Sequence, residues 1–236
     1  MALKPKTKAK ALRRPLRWVL WQGVRLLSVV FLVSVVLVIA GAFINPPTTF
    51  YMSQESRRLG GVDHQWVPLE DVAPVMARAA VAAEDANFCN HWGFDVQAIK
   101  DAIEDGSNRG ASTLSQQTVK NVYLWHGRTY TRKALEAVGT LMLEAVWSKR
   151  RIVEVYLNVV EFDEGVFGVE AASRHYFGIG PEELSPVQAA RLAAVLPNPK
   201  ERSARDPSDF VRTRAAAIRD GAATIGADGR AACFES

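Results

Sequence analysis

Residues 84–95 read Glu84-Asp85-Ala86-Asn87-Phe88-Cys89-Asn90-His91-Trp92-Gly93-Phe94-Asp95, and residues 110–121 read Gly110-Ala111-Ser112-Thr113-Leu114-Ser115-Gln116-Gln117-Thr118-Val119-Lys120-Asn121. A carboxylate pair ends an alanine-rich stretch and sits beside an aromatic and a histidine. A Gly-led turn then opens a segment with two glutamines and a lysine. The polar groups are too dense and too varied for a solvated face. The local periodicities are helical. Val75, Met76, Ala79, Ala80 and Ala83 recur at helix spacing behind Pro74 in a first turn, with Asp71 or a neighbour as cap, so Glu84 falls near the C-terminal end of a helix. Asp95 is suited to cap a short helix carrying Val96, Ile99 and Ile103. Ser112 or Thr113 starts the next one, with Gln117, Lys120, Asn121 and Leu124 on one side and Leu114, Thr118 and Val122 on another.

Working outward, a helix begins near Thr131 and runs through Leu135, Val138, Met142 and Val146, with Arg132 and Glu136 four apart and so neighbours on its surface. Ile152 to Val160 is too apolar for a surface helix and is predicted to be central. Ser185-Pro186-Val187-Gln188 has the form of a capping box and opens a helix that Pro197 and Pro199 stop. A last helix starts at Asp206-Pro207. No convincing alternating strands and no internal repeat are present, so the fold class is mainly α.

The charge is lopsided. Formal net charge is +4, yet the first 54 residues hold no acid and eight cations: Lys4, Lys6, Lys8, Lys10, Arg13, Arg14, Arg17 and Arg25. The rest of the chain is therefore acidic, which argues against nucleic-acid binding by the folded domain. Leu26 to Ile44 carries no charge and as a helix would span about 28 Å, close to the ~30 Å hydrocarbon thickness. It reads as a transmembrane helix. A cleaved signal peptide is the alternative, with Ala40-Gly41-Ala42 imitating a cleavage site, but the apolar run exceeds the ~7 to 15 residues of a signal core. Cations crowd one flank, which predicts a cytoplasmic N-terminus and an external domain. The expected organisation is a basic tail over 1–25, a membrane helix over 26–44, a polar, turn-rich stem over 45–66, one domain over 67–220 and a tail over 221–236. Cys89 and Cys233 are too few for a disulfide framework; one bridge is compatible with the sequence but not required by it.

Glu84 is the candidate general base or acid, since apolar and aromatic neighbours such as Phe88 would raise its pKa towards the working pH. Glu136 is a second carboxylate of the kind that glycosyl transfer or hydrolysis uses. Lys120, Arg132 and Lys133 are donors suited to a phosphate leaving group. Ser112 and Gln117 offer hydrogen bonds to sugar hydroxyls or phosphate oxygens. His91 reads as a structural histidine orienting the Glu84 loop, and the four histidines lack metal spacing, so no metal site is expected.

In order and spacing, Glu84-Asp85-x-x-Phe88-x-x-His91-x-Gly93-x-Asp95, the 110–121 segment, Arg132-Lys133-x-x-Glu136, and Tyr156-Leu157-Asn158 ahead of Phe167-Gly168-Val169 resemble the peptidoglycan glycosyltransferases of family 51. The resemblance covers about Val67 to Arg219, and with a short anchor and no Ser-x-x-Lys transpeptidase module it is similar to the monofunctional members. It implies a lysozyme-like helical glycosyltransferase domain behind one N-terminal transmembrane helix, lipid II and the growing glycan strand as substrates, and single-pass residence in a bacterial inner membrane with the domain in the periplasm. By resemblance, Glu84 and Glu136 are catalytic, the first as base and the second aiding the leaving pyrophosphate or orienting Arg132. Ser112, Thr113, Gln117, Lys120, Asn121, Arg132 and Lys133 bind substrate, and Asp85, Phe88 and His91 support the site. No cofactor is required, with Mg or Mn at the pyrophosphate as the alternative. Further partners would be cell-wall synthesis or division proteins. Asp163 and Ala111 stand where glycines are common in the family, which bears on loop detail. A lysozyme-like hydrolase and a non-catalytic wall-synthesis scaffold are the competing readings.

Overall fold

The computed structural model describes residues 8–104, 112–127 and 129–235, residues 8–16 by backbone alone. The expected turn at Gly110 and the Ala111 departure lie outside the described residues. Two compact units are present, Met1–Phe43 and Ile44–Ser236.

The first is built on α1 (Lys8–Gly41), a single 34-residue helix. Its Arg17–Gly41 portion, 25 residues, is long and apolar enough to cross a membrane, spanning about 37 Å at ~1.5 Å per residue. The helix therefore reaches back through Arg17 and Arg25, and Phe43 and Ile44 lie beyond its end, a shift from the 26–44 boundaries. Helical propagation through Trp18 to Gly23 meets no breaker, whereas the chain turns after Gly41.

In the second unit the segment expected to be a stem is ordered structure. Thr49 caps α2 (Phe50–Leu59), its side-chain oxygen accepting from Met52 N, and Gly60 closes the helix at φ +81°. Met52 is buried, which anchors α2 to the domain. Asp63–His64 then forms β1, which pairs in parallel with β3 (Val166–Phe167); β2 (Glu161–Asp163) lies antiparallel on the other side of β3, giving the order β1-β3-β2. The domain thus incorporates residues before 67, and a small sheet joins the helices.

The remaining helices are α3 (Pro74–Glu84), α4 (Val96–Glu104), α5 (Leu114–Tyr123), α6 (Tyr130–Val146), α7 (Lys149–Val159), α8 (Gly168–Phe177), α9 (Pro186–Val195), α10 (Asp209–Ala227) and α11 (Ala232–Glu235). Caps explain several boundaries. The Ser185–Gln188 capping box opens α9, while α3 starts with Pro74 after Ala73 rather than with an Asp71 cap, because Asp71 ends a short 3-10 turn. Helix α10 starts at Asp209 behind the cap Ser208, slightly later than the expected Asp206-Pro207 start. The expected tail from 221 is the end of α10 followed by α11, and Phe234 is fully buried.

The core centres on α7, where Ile152, Val153, Val155, Tyr156 and Leu157 are completely buried. Alanine-rich faces of α3, α9 and α10 pack on one another, and α5 packs on α6 and α7. Small side chains let these backbones approach closely. Asn158 of α7 holds the chain ahead of α3 by exchanging hydrogen bonds with Val67, each 2.8 Å. Gly168 is at φ +82°, and a Cβ there would meet the Asn158 carbonyl oxygen at 2.8 Å, so only glycine suits this turn.

Two helix faces depart from their apolar periodicity. No residue of α4 is buried, and Val96 and Ile103 are exposed. On α6 the buried residues are Arg132, Glu136, Thr140, Leu143 and Glu144, whereas Leu135, Val138 and Val146 face outward. Tertiary contacts overrode the pattern: α6 turns its charged side inward to serve the cluster described next.

Candidate active site

Two helix termini and one helix face build the site. Thr113 caps α5 in a reciprocal capping box with Gln116, accepting from Gln116 N at 3.3 Å while Gln116 Oε1 accepts from Thr113 N at 3.1 Å. Asp85 joins that terminus to the end of α3. Its Oδ2 accepts Leu114 N–H at 3.0 Å and its Oδ1 lies 2.8 Å from His91 Nε2. The His91 carbonyl takes Lys149 Nζ at 2.8 Å; the same ammonium pairs with Glu144 and lies 4.3 Å from the centre of the Phe88 ring. Thr113 donates to the Gly93 carbonyl at 2.7 Å, and Gly93 is at φ +83°, where a Cβ would strike Thr140. His91 and Asp85 therefore tie the motif loop to α5 and to Lys149. Ligand atoms of Asp85, His91 and Asp95 lie within 4.8 Å of one another. Their carboxylate oxygens accept hydrogen bonds from Leu114 N, Ala98 N and Asn87 and pair with His91, which staples the loop.

This frame fixes Glu84 at the last residue of α3. Its side chain is 13% exposed. Gln117 Nε2 donates to Glu84 Oε2 at 2.7 Å, whereas Oε1 is buried without a hydrogen-bond partner. Desolvation pushes its pKa up; the Gln117 hydrogen bond and the charges of Arg214 and Lys120 oppose the rise, and Asp85 adds to it. The apolar seal differs from expectation, since Phe88 packs with His91 and Phe234 while the fully buried Tyr156 feels the Glu84 charge.

From Gln117 a polar chain leads to the second carboxylate. Gln117 Nε2 also reaches the Ser112 carbonyl at 3.4 Å, and Ser112 Oγ accepts from Lys133 Nζ at 3.1 Å. Lys133 and Arg132 pair with the two oxygens of Glu136, which is 3% exposed. Burial lowers the Lys120 pKa, and the charges of Glu136 and Glu84 oppose that fall. Thr129, Tyr130, Arg132 and Lys133 line a cavity of about 350 Å³. Of the residues expected to bind substrate, Ser112, Gln117, Lys120, Arg132 and Lys133 thus surround the two acids. Thr113 and Asn121 are buried within the scaffold, Asn121 being bonded to His126 at 3.2 Å.

The arrangement thus brings together a partly desolvated carboxylate with one unbonded oxygen, a second buried carboxylate held by two cations, and a third cation in Lys120. The Transglycosylase family model matches residues 53–222. This chain belongs to the transglycosylase family. It is 56% identical over 228 residues, 97% of its length and 94% of the relative's, to a protein of Jannaschia sp. (strain CCS1) called biosynthetic peptidoglycan transglycosylase. Proteins of the same name from Caulobacter vibrioides and Pseudomonas fluorescens (strain Pf0-1) are 44% and 48% identical, covering 88% and 83% of this chain and 94% and 85% of theirs.

In this transglycosylase, sequence reasoning missed Arg214 and Arg202. Arg214 Nη2 lies 3.9 Å from Glu84 Oε1, and Arg202 feels the charges of both Glu84 and Arg214. Both lie far along the chain from Glu84, and no local spacing advertises them. The Asp163 departure is accommodated: its carboxylate accepts from the Tyr176 hydroxyl at 2.9 Å and lies 3.1 Å from His175 Nε2, while Gly165 supplies the positive φ of the turn.

Proposed function

We propose that this transglycosylase polymerises lipid II into peptidoglycan strands by inverting glycosyl transfer, with Glu84 as the general base. Glu84 takes the proton of the acceptor sugar's 4-hydroxyl. That oxygen bonds to the donor's anomeric carbon from the face opposite the leaving group. The carbon–oxygen bond to pyrophosphate breaks, and undecaprenyl pyrophosphate departs with the electron pair. Lys120, Arg132 and Lys133 neutralise the charge that grows on it, and Glu136 fixes Arg132 and Lys133. The carrying observation is a desolvated Glu84 with one oxygen held by Gln117 and the other, buried Oε1, accepting no hydrogen bond.

A divalent cation at the pyrophosphate fits poorly. Both Glu136 oxygens are engaged by Arg132 and Lys133, so an ion there would be repelled by two cations already in place, and the chain's own cations supply the charge. The anchor reading extends to α1 crossing the inner membrane with a cytoplasmic N-terminus and a periplasmic domain. The cation-rich flank supports that orientation, and the Cys89–Cys233 disulfide suits an oxidising compartment.

The test is detergent-solubilised full chain incubated with labelled lipid II. A ladder of glycan strands with release of undecaprenyl pyrophosphate is expected. Cleavage of preformed glycan without polymer would assign a hydrolase instead. Neither activity, with a known transferase active under the same conditions, would leave a scaffold.

A further inference from the structure

The Glu84 carboxylate is held from two sides, and only one of them belongs to the motif region. On the motif side, Gln117 of α5 takes Oε2 at 2.7 Å. On the other, α10 brings Arg214 across 131 residues of chain: Nη2 reaches the Ala83 carbonyl at 3.4 Å and stands 3.9 Å from Glu84 Oε1. That second distance is too long for a hydrogen bond and short enough for a strong charge interaction in a partly buried setting. Glu84 Oε1 and Arg214 Nε are both buried without a hydrogen-bond partner. Such groups are rare in folded proteins and mark a place where something beyond packing is at work.

We propose that Arg214 is a positioning residue for the glycosyl transfer: docked on the Ala83 carbonyl, its guanidinium is the counter-charge of the Glu84 carboxylate without taking up the lone pairs of the buried Oε1. The inference rests on Glu84 being the general base. A base that is desolvated enough to be strong is in danger of being protonated before substrate arrives. A hydrogen-bonded arginine would cure this at the expense of the lone pair that does the work. An arginine held just out of hydrogen-bond reach supplies the charge alone. The backbone carbonyl at the end of α3 sets that standoff, because the guanidinium is tethered to the peptide preceding the base.

The charged and titratable groups facing Glu84 come from every element around it. They are Asp85 beside it, Lys120 on α5, Tyr156 on α7, Arg202 in the segment between α9 and α10, and Arg214 on α10. Asp85 opposes ionisation, Tyr156 is a buried phenol whose hydroxyl is turned to Gln117 at 3.4 Å, and Lys120 is shared with Glu136. Arg202 is drawn towards the Ala194 carbonyl at 3.2 Å and the Phe210 ring at 4.9 Å. Arg214 is the cation that both stands beside Glu84 and bonds the carbonyl of Ala83, the peptide that precedes it.

The experiment is the pH dependence of kcat/KM for lipid II polymerisation by the full chain in detergent, for wild type, Arg214→Gln, Arg214→Met and Arg214→Lys, each checked by circular dichroism and thermal melting. Removing an opposite charge at this range shifts a carboxylate by about 1 unit or more. The acid limb is therefore expected to move upward by about 1 pH unit in Arg214→Gln and Arg214→Met. Their rates should fall roughly tenfold below the limb and recover to within about threefold of wild type above it. Arg214→Lys should keep the wild-type limb. A folded neutral variant whose limb stays put, whether its rate is unchanged or uniformly lowered, overturns the proposal. If neither neutral variant folds, the lysine variant decides: a limb displaced upward in that folded, still cationic protein overturns it, and an unmoved limb supports it. A wild type that makes no polymer at any pH would instead defeat the polymerase reading itself.

Discussion

Cys89, in the loop that follows Glu84, is disulfide-bonded to Cys233 in α11, 144 residues away in sequence. The bridge is reinforced by Phe234, fully buried with its ring centre 6.4 Å from that of Phe88, and by Arg78, which pairs bidentately with Glu235. The end of the chain therefore clamps the motif loop from behind. A native bridge closing so long a loop contributes about 2–4 kcal/mol. Cys233→Ser, or reduction of the wild type, is expected to lower the melting temperature by roughly 5–15 °C for a domain of this size. Identical melting of oxidised and reduced protein would show that the clamp does not contribute.

Asp85 is the staple between α3 and α5. Truncation in Asp85→Ala leaves Leu114 N–H and the His91 ring without their partner, at roughly 1–3 kcal/mol for each buried group. A fall of about 2–4 kcal/mol in denaturant-unfolding stability is expected, together with reduced polymerisation, because the loop carrying Glu84 loosens. His91→Ala should be milder, since Asp85 keeps its bond to Leu114 N.

Glu84 links stability and activity with opposite signs. Its pKa is raised in the folded protein, chiefly by desolvation, so the native state holds the proton more tightly than the unfolded chain does. That contribution is fully present below the ordinary carboxylate range and is lost as pH rises through the raised value. Activity needs the ionised form and so rises over the same interval. Glu84→Gln, permanently neutral, is accordingly expected to melt higher than wild type at pH 8 and to lose that advantage near pH 4. Melting curves at the two pH values check the sign.

Helix α6 offers a contrast between its faces. Glu136→Ala leaves the buried Arg132 without its carboxylate and should cost roughly 3–5 kcal/mol. On the outward face, Leu135→Ser and Val138→Thr should each change stability by no more than about 0.5 kcal/mol, because both residues are half exposed. Chemical denaturation of the three variants separates the faces.

That contrast also shows what the sequence can and cannot carry. Caps at Thr113 and Ser185 are local chemistry and were legible, as were the central α7 and the end of α3 at Glu84. Ser112, Gln117, Lys120, Arg132, Lys133 and Glu136 were singled out as a set by the family resemblance, and the structure places them near one another. The inward face of α6 was not, because apolar periodicity assigns Leu135 and Val138 to the core while the structure buries the ion cluster instead. The segment before residue 67 hid its order for another reason. Its composition is polar, but Thr49 caps a helix whose Tyr51 donates to Glu161 at 2.7 Å and stacks on His126 at 3.6 Å, contacts that exist only after the chain has folded back. Arg214 and the Cys89–Cys233 pairing were hidden in the same way, each joining residues more than a hundred positions apart.

The most direct measurement is the rate of lipid II polymerisation by Glu84→Gln beside wild type, both verified as folded by thermal melting. If the Glu84 carboxylate takes the acceptor's proton, loss of the base should lower kcat by at least about 10²-fold, within the usual range for general base catalysis, with the fold intact. A folded Glu84→Gln protein that polymerises within a few-fold of wild type would contradict the assignment and move the proton transfer to another group.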